Sequence, residues 1–269
     1  MSASGAVPIS DGRLALSALL ILVNVGLSSL LRLGLGRPLL MAATRMVVQL
    51  LLVGSVLEWL FRRNDPLLLL LIALAMALIA GQAAVSGTRG RFPGIHGAGF
   101  LSVMGATSVV TGVALAGIIQ PTPLLAPQYT IPLLGMVLGN TLNGVSLALD
   151  RLMGGMLSSR DQLETLLCLG ATRWEACREV VVDAIRVGMI PTINSMTVMG
   201  VVSLPGMMTG QILEGAAPAA AVRYQIVIMF VIGAGTALAV CSVVLASYGR
   251  LTTADHQLRL DRIRWRDSR

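Results

Sequence analysis

Along this chain, apolar positions gather in long blocks separated by short polar stretches. About seven blocks can be placed, at 14–31, 39–61, 67–85, 100–119, 131–149, 187–213 and 226–248. Their lengths match the roughly 17 to 25 residues that a helix needs to cross a hydrocarbon core of about 30 Å. None alternates with period two as a membrane β-barrel strand does. Lipid offers the backbone no water, so helices, which satisfy their own amides, are the expected elements. The first block is followed by SSLLRLGLGRP and not by a small-residue cleavage site, so it counts as a span and not as a signal peptide. The expected fold class is all-α. One polytopic membrane domain fills 1–269, with a polar segment at about 158–186 and a basic tail at 249–269.

Composition sharpens this picture. The chain is 55% hydrophobic and only 12% charged, with a mean hydropathy of +0.81, whereas soluble domains carry about 25% charged residues. The net charge of +7 comes from arginine alone, since the sequence has no lysine. In a soluble protein that balance would suggest nucleic acid; here the arginines segregate by loop, and no nucleic-acid partner is expected. Arg32, Arg37, Arg89, Arg91, the arginines of 151–186 and those from Arg250 onward fall on one side, against Arg13, Arg62, Arg63 and Arg223 on the other. Cytoplasmic loops collect positive residues, which predicts an outside N-terminus and a cytoplasmic C-terminus. The missing lysine also removes any G-x-x-x-x-G-K-[ST] phosphate loop. The chain is therefore not expected to be an enzyme or to hold ATP and Mg itself. Cys168, Cys177 and Cys241 form no C-x-x-C and read as reduced thiols. His96 and His256 fall in a loop and in the tail, as solvated side chains.

The polar segment carries helix punctuation. Ser158 or Ser159 can cap a first short helix, Gly170 stops it, and Thr172 with Glu175 forms a T-x-x-E capping box for a second. Leu163 and Leu167 recur at helical spacing, and Glu164, Arg173, Trp174 and Glu175 supply mixed charge beside an aromatic ring. A helix pair lying at the lipid headgroups is one reading. Docking of a cytoplasmic partner is the other, favoured by the interleaved acidic residues and by a tryptophan among arginines.

Several polar residues fall inside the apolar blocks. Arg45 and Gln49, four apart, share a helix face; Arg45 either lines an interior path or snorkels to the headgroups. Glu58 lies roughly 20 Å further along the same helix, an exit-side cation contact or an interfacial carboxylate. Gly135, Gly139, Asn143 and Ser146 form a narrow stripe suited to close helix packing, and Asn140 lies off it, its amide expected to point inward. In VVSLPGMMTGQILEG, Pro205 lacks a donor for the Val201 carbonyl, while Gly206 and Gly210 free the backbone. Broken backbone in a membrane belongs against protein or water, so this stretch is expected to face the interior as a hinge or gate. A static re-entrant cap is the alternative. Met207 and Met208 offer thioethers that suit Cu(I) better than iron, although most methionines in so apolar a chain serve packing.

The stretches IPLLGMVLGNTLNGVSLALDRL, LGATRWEA and VVSLPGMMTGQILEGAAPAAAVRYQIVIMF resemble the FetB-type iron-export ABC permease family, which also includes a plant aluminium-tolerance subunit. The likeness runs over essentially the whole chain. It implies a homodimeric permease of the bacterial inner (plasma) membrane, exporting iron by alternating access. A separate FetA-type subunit would bind ATP and Mg and dock on the polar segment. Export of a nucleotide sugar or other organic substrate, and an ATP-independent secondary transporter, are the alternatives.

Overall fold

The apolar blocks fold as helices that begin and end at residues unable to continue them. The computed structural model describes residues 10–63 and 65–265, so the last four positions of the basic tail lie outside it. Helices α1 (Asp11–Leu30) and α2 (Gly36–Arg63) are joined by a turn in which Arg32 and Gly34 take positive φ. The Ser28 hydroxyl accepts from Leu35 N–H at 2.9 Å in that turn. Prolines at the first helical position, where no donor is needed, open α3 (Pro66–Ser86), α5 (Pro127–Ser158) and α9 (Pro218–Leu251). Between them lie α4 (Ile95–Val113), α6 (Arg160–Cys168), α7 (Arg173–Val198) and α8 (Gly206–Leu213). Helix α4 ends in wider π-type turns over Ala114–Ile119. Two short strands, β1 (Gly90–Arg91) and β2 (Arg264–Trp265), pair antiparallel.

Six of these helices are long and apolar enough to cross a membrane: α1, α2, α3, α4 with its extension, α5 and α9. The block at 187–213 is not the single span that its hydropathy suggests. Its first part is the end of α7, whose preceding stretch, 173–186, carries six charged residues. That apolar end, 187–198, measures about 18 Å at helical rise. The chain then turns at Gly200 (φ +85°) and restarts as α8.

The core is α5, α7 and α9, with α3 and α4 packed on its flank. A Cβ added at Gly144 of α5 would lie 2.8 Å from the Gly188 carbonyl of α7 and 2.8 Å from Thr236 Cγ2 of α9, so three backbones meet at one crossing. Gly155 faces Val180 in the same way, which makes α7 antiparallel to α5. Close approach of this kind needs glycine, but not at the positions in the sequence stripe. Gly139 has open space, and Gly135 and Ser146 face Met76 and Gly87 of the α3 region. By contrast, α1 and α2 pack mainly on each other. Helix α2 enters the core only near its end, where Leu60 meets Leu69 and Ile131.

Candidate coupling surface and intramembrane break

The polar segment folds as a helix, a glycine turn and a second helix. Gly170 takes φ +92°, a conformation that costs glycine little. The capping box at Thr172 is fully formed: its hydroxyl accepts from Glu175 N–H, and Glu175 Oε2 accepts from Thr172 N–H at 2.8 Å. The Thr172 N–H and the Thr172 hydroxyl, which donates to the same Oε2 at 2.7 Å, hold the Glu175 carboxyl below its ordinary range. Ser159 precedes α6 but makes no side-chain cap, because α5 runs almost straight into it.

Burial divides the segment's residues. Leu163 is 2% exposed and belongs to the main core, which removes it from any docking surface; Leu167 is half-buried. What remains outward is Leu169 at 79% and Trp174 at 42%, with Glu164, Gly170, Thr172 and Glu175 around them. Trp174 stands edge-on to Tyr248 of α9, ring centroids 5.7 Å apart, which fixes its orientation.

The C-terminal tail braces this hairpin. His256 Nδ1 accepts from Arg173 N–H at 3.0 Å, and the Arg173 guanidinium donates to the Thr253 carbonyl at 3.1 Å. Leu258 and Leu260 pack against the core cluster that holds Leu163. Arg250 donates to the Gly94 carbonyl at 2.8 Å, Arg89 N–H to Asp150 at 2.7 Å, and Arg151 pairs with Asp183. The basic loops thus converge at one end. His256, expected to be solvated, is exposed and in addition acts as an acceptor for the first amide of α7. A lone tail histidine carries no sequence signal for that role.

Other sequence candidates disperse. Arg45, Gln49 and Glu58 are exposed on α2, so they do not face an interior within one chain; α2 touches the core too far along its length. Asn140 turns its amide to the Met136 carbonyl at 2.8 Å, and Asn143 is exposed.

The break is placed differently from the reading of Pro205 as a kink. Helix α7 ends at Val198, Gly200 N–H donates to the Ser203 carbonyl at 2.9 Å, and Pro205 serves as the N-cap of α8. Gly206 and Gly210 are ordinary helical positions with open space; the positive φ angles belong to Gly200 and Gly215. Nor does the whole stretch face inward. Val201 is 90% exposed, with Val202 and Leu204 exposed beside it, whereas Met208 is buried and Met207 half-buried where α8 packs on α9. The buried Gln225 of α9, whose amide donates to Met199 Sδ at 3.8 Å, is the polar residue that hydropathy alone passes over. Among the described residues, no three His, Cys, Asp or Glu side chains come together as a metal site.

A family model described as "Uncharacterised protein family (UPF0014)" matches residues 12–252. The chain is 41% identical over 226 residues to the UPF0014 membrane protein slr1647 of Synechocystis, covering 84% of this chain and 87% of that one. It is 32% identical over 251 residues to the probable iron export permease protein FetB of Escherichia coli, covering 93% and 95%. It is 31% identical over 232 residues to the protein ALUMINUM SENSITIVE 3 of Arabidopsis thaliana, covering 86% and 84%. No solved structure matches. With its apolar helices and a family match over nearly its full length, the chain is a multi-pass membrane protein of the UPF0014 family.

Proposed function

We propose that this chain is the permease subunit of an ABC exporter whose cargo is iron, working as a homodimer with a separate FetA-type ATP-binding subunit. The carrying observation is the braced α6–α7 hairpin, which offers Leu169 and Trp174 outward from a rigid support. The similarity to a probable iron export permease supports the cargo. ATP and Mg belong to the partner in this reading, because the chain has no lysine for a phosphate loop. We read the arginine-rich end as the cytoplasmic one by the positive-inside rule; with α7 counted as a seventh crossing, the N-terminus would lie outside, in a bacterial inner membrane.

The geometry suggests how a push at the hairpin would travel. Helix α7 runs from Arg173 to Val198, roughly 39 Å at 1.5 Å per residue, with Pro191 inside it, where one backbone hydrogen bond is missing. It is gripped at Gly188, about 22 Å from its start by the same rise. Packed closely at Val180 and again at Gly188, the first part of α7 moves with the hairpin, and Pro191 is the point at which the segment leading to the break at Met199–Pro205 can bend. Tilting the hairpin would displace that break relative to α9. Arg45 and Gln49 can line the passage only if a second copy closes over the exposed flank of α2, which is where the homodimer reading places it.

The test is copurification of the chain with its ATP-binding subunit, followed by ATPase assays of the reconstituted pair against iron, other metals and nucleotide sugars. Iron-stimulated turnover, lost on Leu169→Glu with Trp174→Ala, is the expected result. Stimulation by a nucleotide sugar alone would replace the cargo, and purification without any ATPase would overturn the exporter reading.

A further inference from the structure

Four methionines from four separate parts of the chain converge on one apolar cluster in the half of the protein that holds the α7–α8 break. Met229 is buried there, and Met136, Met199 and Met207 pack against it. They come from α5, from the end of α7, from α8 and from α9. Gln225, one helical turn before Met229 and so on the same face of α9, is 7% exposed. Its amide nitrogen approaches Met199 Sδ at 3.8 Å. Its Oε1 is fully enclosed and, among the described residues, has no hydrogen-bond partner.

A buried amide oxygen left without a partner is unfavourable. Methionine packing alone explains the sulfurs but not this oxygen. Both features fit one kind of ligand. Thioethers are neutral, polarizable donors that select soft ions such as Cu(I). In the structure the amide nitrogen, not the oxygen, faces the Met199 sulfur; a half turn of the amide on metal binding would exchange the two. The oxygen lone pairs then lie beside the Met199 sulfur. Enclosure by aliphatic side chains and the absence of a carboxylate from the cluster disfavour a dication, which would need anionic oxygen ligands and carry a larger desolvation cost. A single positive charge is the better match. The break supplies the geometry: α7 ends at Val198, so Met199 is free of helical constraint and turns towards α9.

We infer that Met199, Met207 and Met229, with the side-chain oxygen of Gln225, form a binding site for a soft monovalent cation of the Cu(I) and Ag(I) class. This does not rest on the exporter reading, whose failure would show as absence of an ATPase partner.

The probe is silver ion, titrated into the purified full-length chain in lipid nanodiscs. Cys168, Cys177 and Cys241 are first replaced by alanine, because thiols would capture silver. Bound metal is counted after desalting. About one silver per chain is expected, and Met199→Leu with Met207→Leu and Met229→Leu should remove it. These exchanges keep volume and apolarity, and the helical circular dichroism spectrum checks that the variant is folded. Gln225→Leu alone should weaken binding by about ten- to a hundredfold. Silver retained by the folded triple variant, no silver bound by the folded cysteine-free chain, or methionine-dependent binding of Fe(II) in place of silver would each overturn the assignment.

Discussion

A methyl group is enough to test the central crossing. An alanine at Gly188 would place Cβ 2.8 Å from Ala148 Cβ and 2.9 Å from the Gly144 carbonyl oxygen. Neither backbone nor a neighbouring Cβ can swing away, so Gly188→Ala should cost about 1–3 kcal/mol through overpacking. Gly139→Ala is the control: no atom lies within 4 Å, and alanine gains up to about 1 kcal/mol of helix propensity over glycine. Thermal unfolding in detergent should therefore fall for the first and hold or rise for the second. The cysteines give a second test. Burial pushes the Cys177 thiol up to about 11, so it stays protonated at neutral pH and is shielded as well, whereas Cys168 is exposed. In Cys241→Ala protein, a water-soluble maleimide at neutral pH should label Cys168 and spare Cys177 until the protein is unfolded.

At the scale of the element, helix starts were legible and the break was only half so. Thr172 and Glu175 announce α7 through their spacing, and the capping box forms as that spacing requires. Thr172→Ala should cost about 1 kcal/mol and speed hydrogen exchange over the first turn of α7. The Glu175 carboxyl is lowered in the folded chain, so its contribution is present at neutral pH, above the ordinary carboxylate range. It is lost as pH falls through the lowered folded value, and the same exchange should quicken only in acid. The break was located by its prolines and glycines, but hydropathy cannot tell a proline that kinks a helix from one that opens the next. Because Pro205 caps α8, Pro205→Ala should leave transport and stability near wild type. Gly200 holds φ +85°, where a side chain costs about 1–2 kcal/mol. Gly200→Ala should lower the unfolding midpoint and slow turnover. The close packing moved from Gly139 to Gly144 for a similar reason: a G-x-x-x-G stripe marks a face that can approach closely, not which neighbour does.

For the whole molecule, the charge pattern brought the basic segments to one end, yet it held nothing of how they clasp. A two-residue strand pair and one histidine acceptor have no period to read. Removing the chain from Thr253 onward keeps all six apolar helices. It withdraws the acceptor from Arg173 N–H and the Leu258 and Leu260 cover. Such a chain should insert normally but fail to bring down an ATPase subunit, measured by copurification from membranes. The clasp also orders events in time. His256 follows Arg173 by 83 residues, and at about 5–20 residues per second it emerges from the ribosome roughly 4–17 s later. Until then the hairpin has its helices but not its brace. The surface proposed for the partner is finished only when the segment around His256 has been made, so a chain still short of it is spared premature assembly.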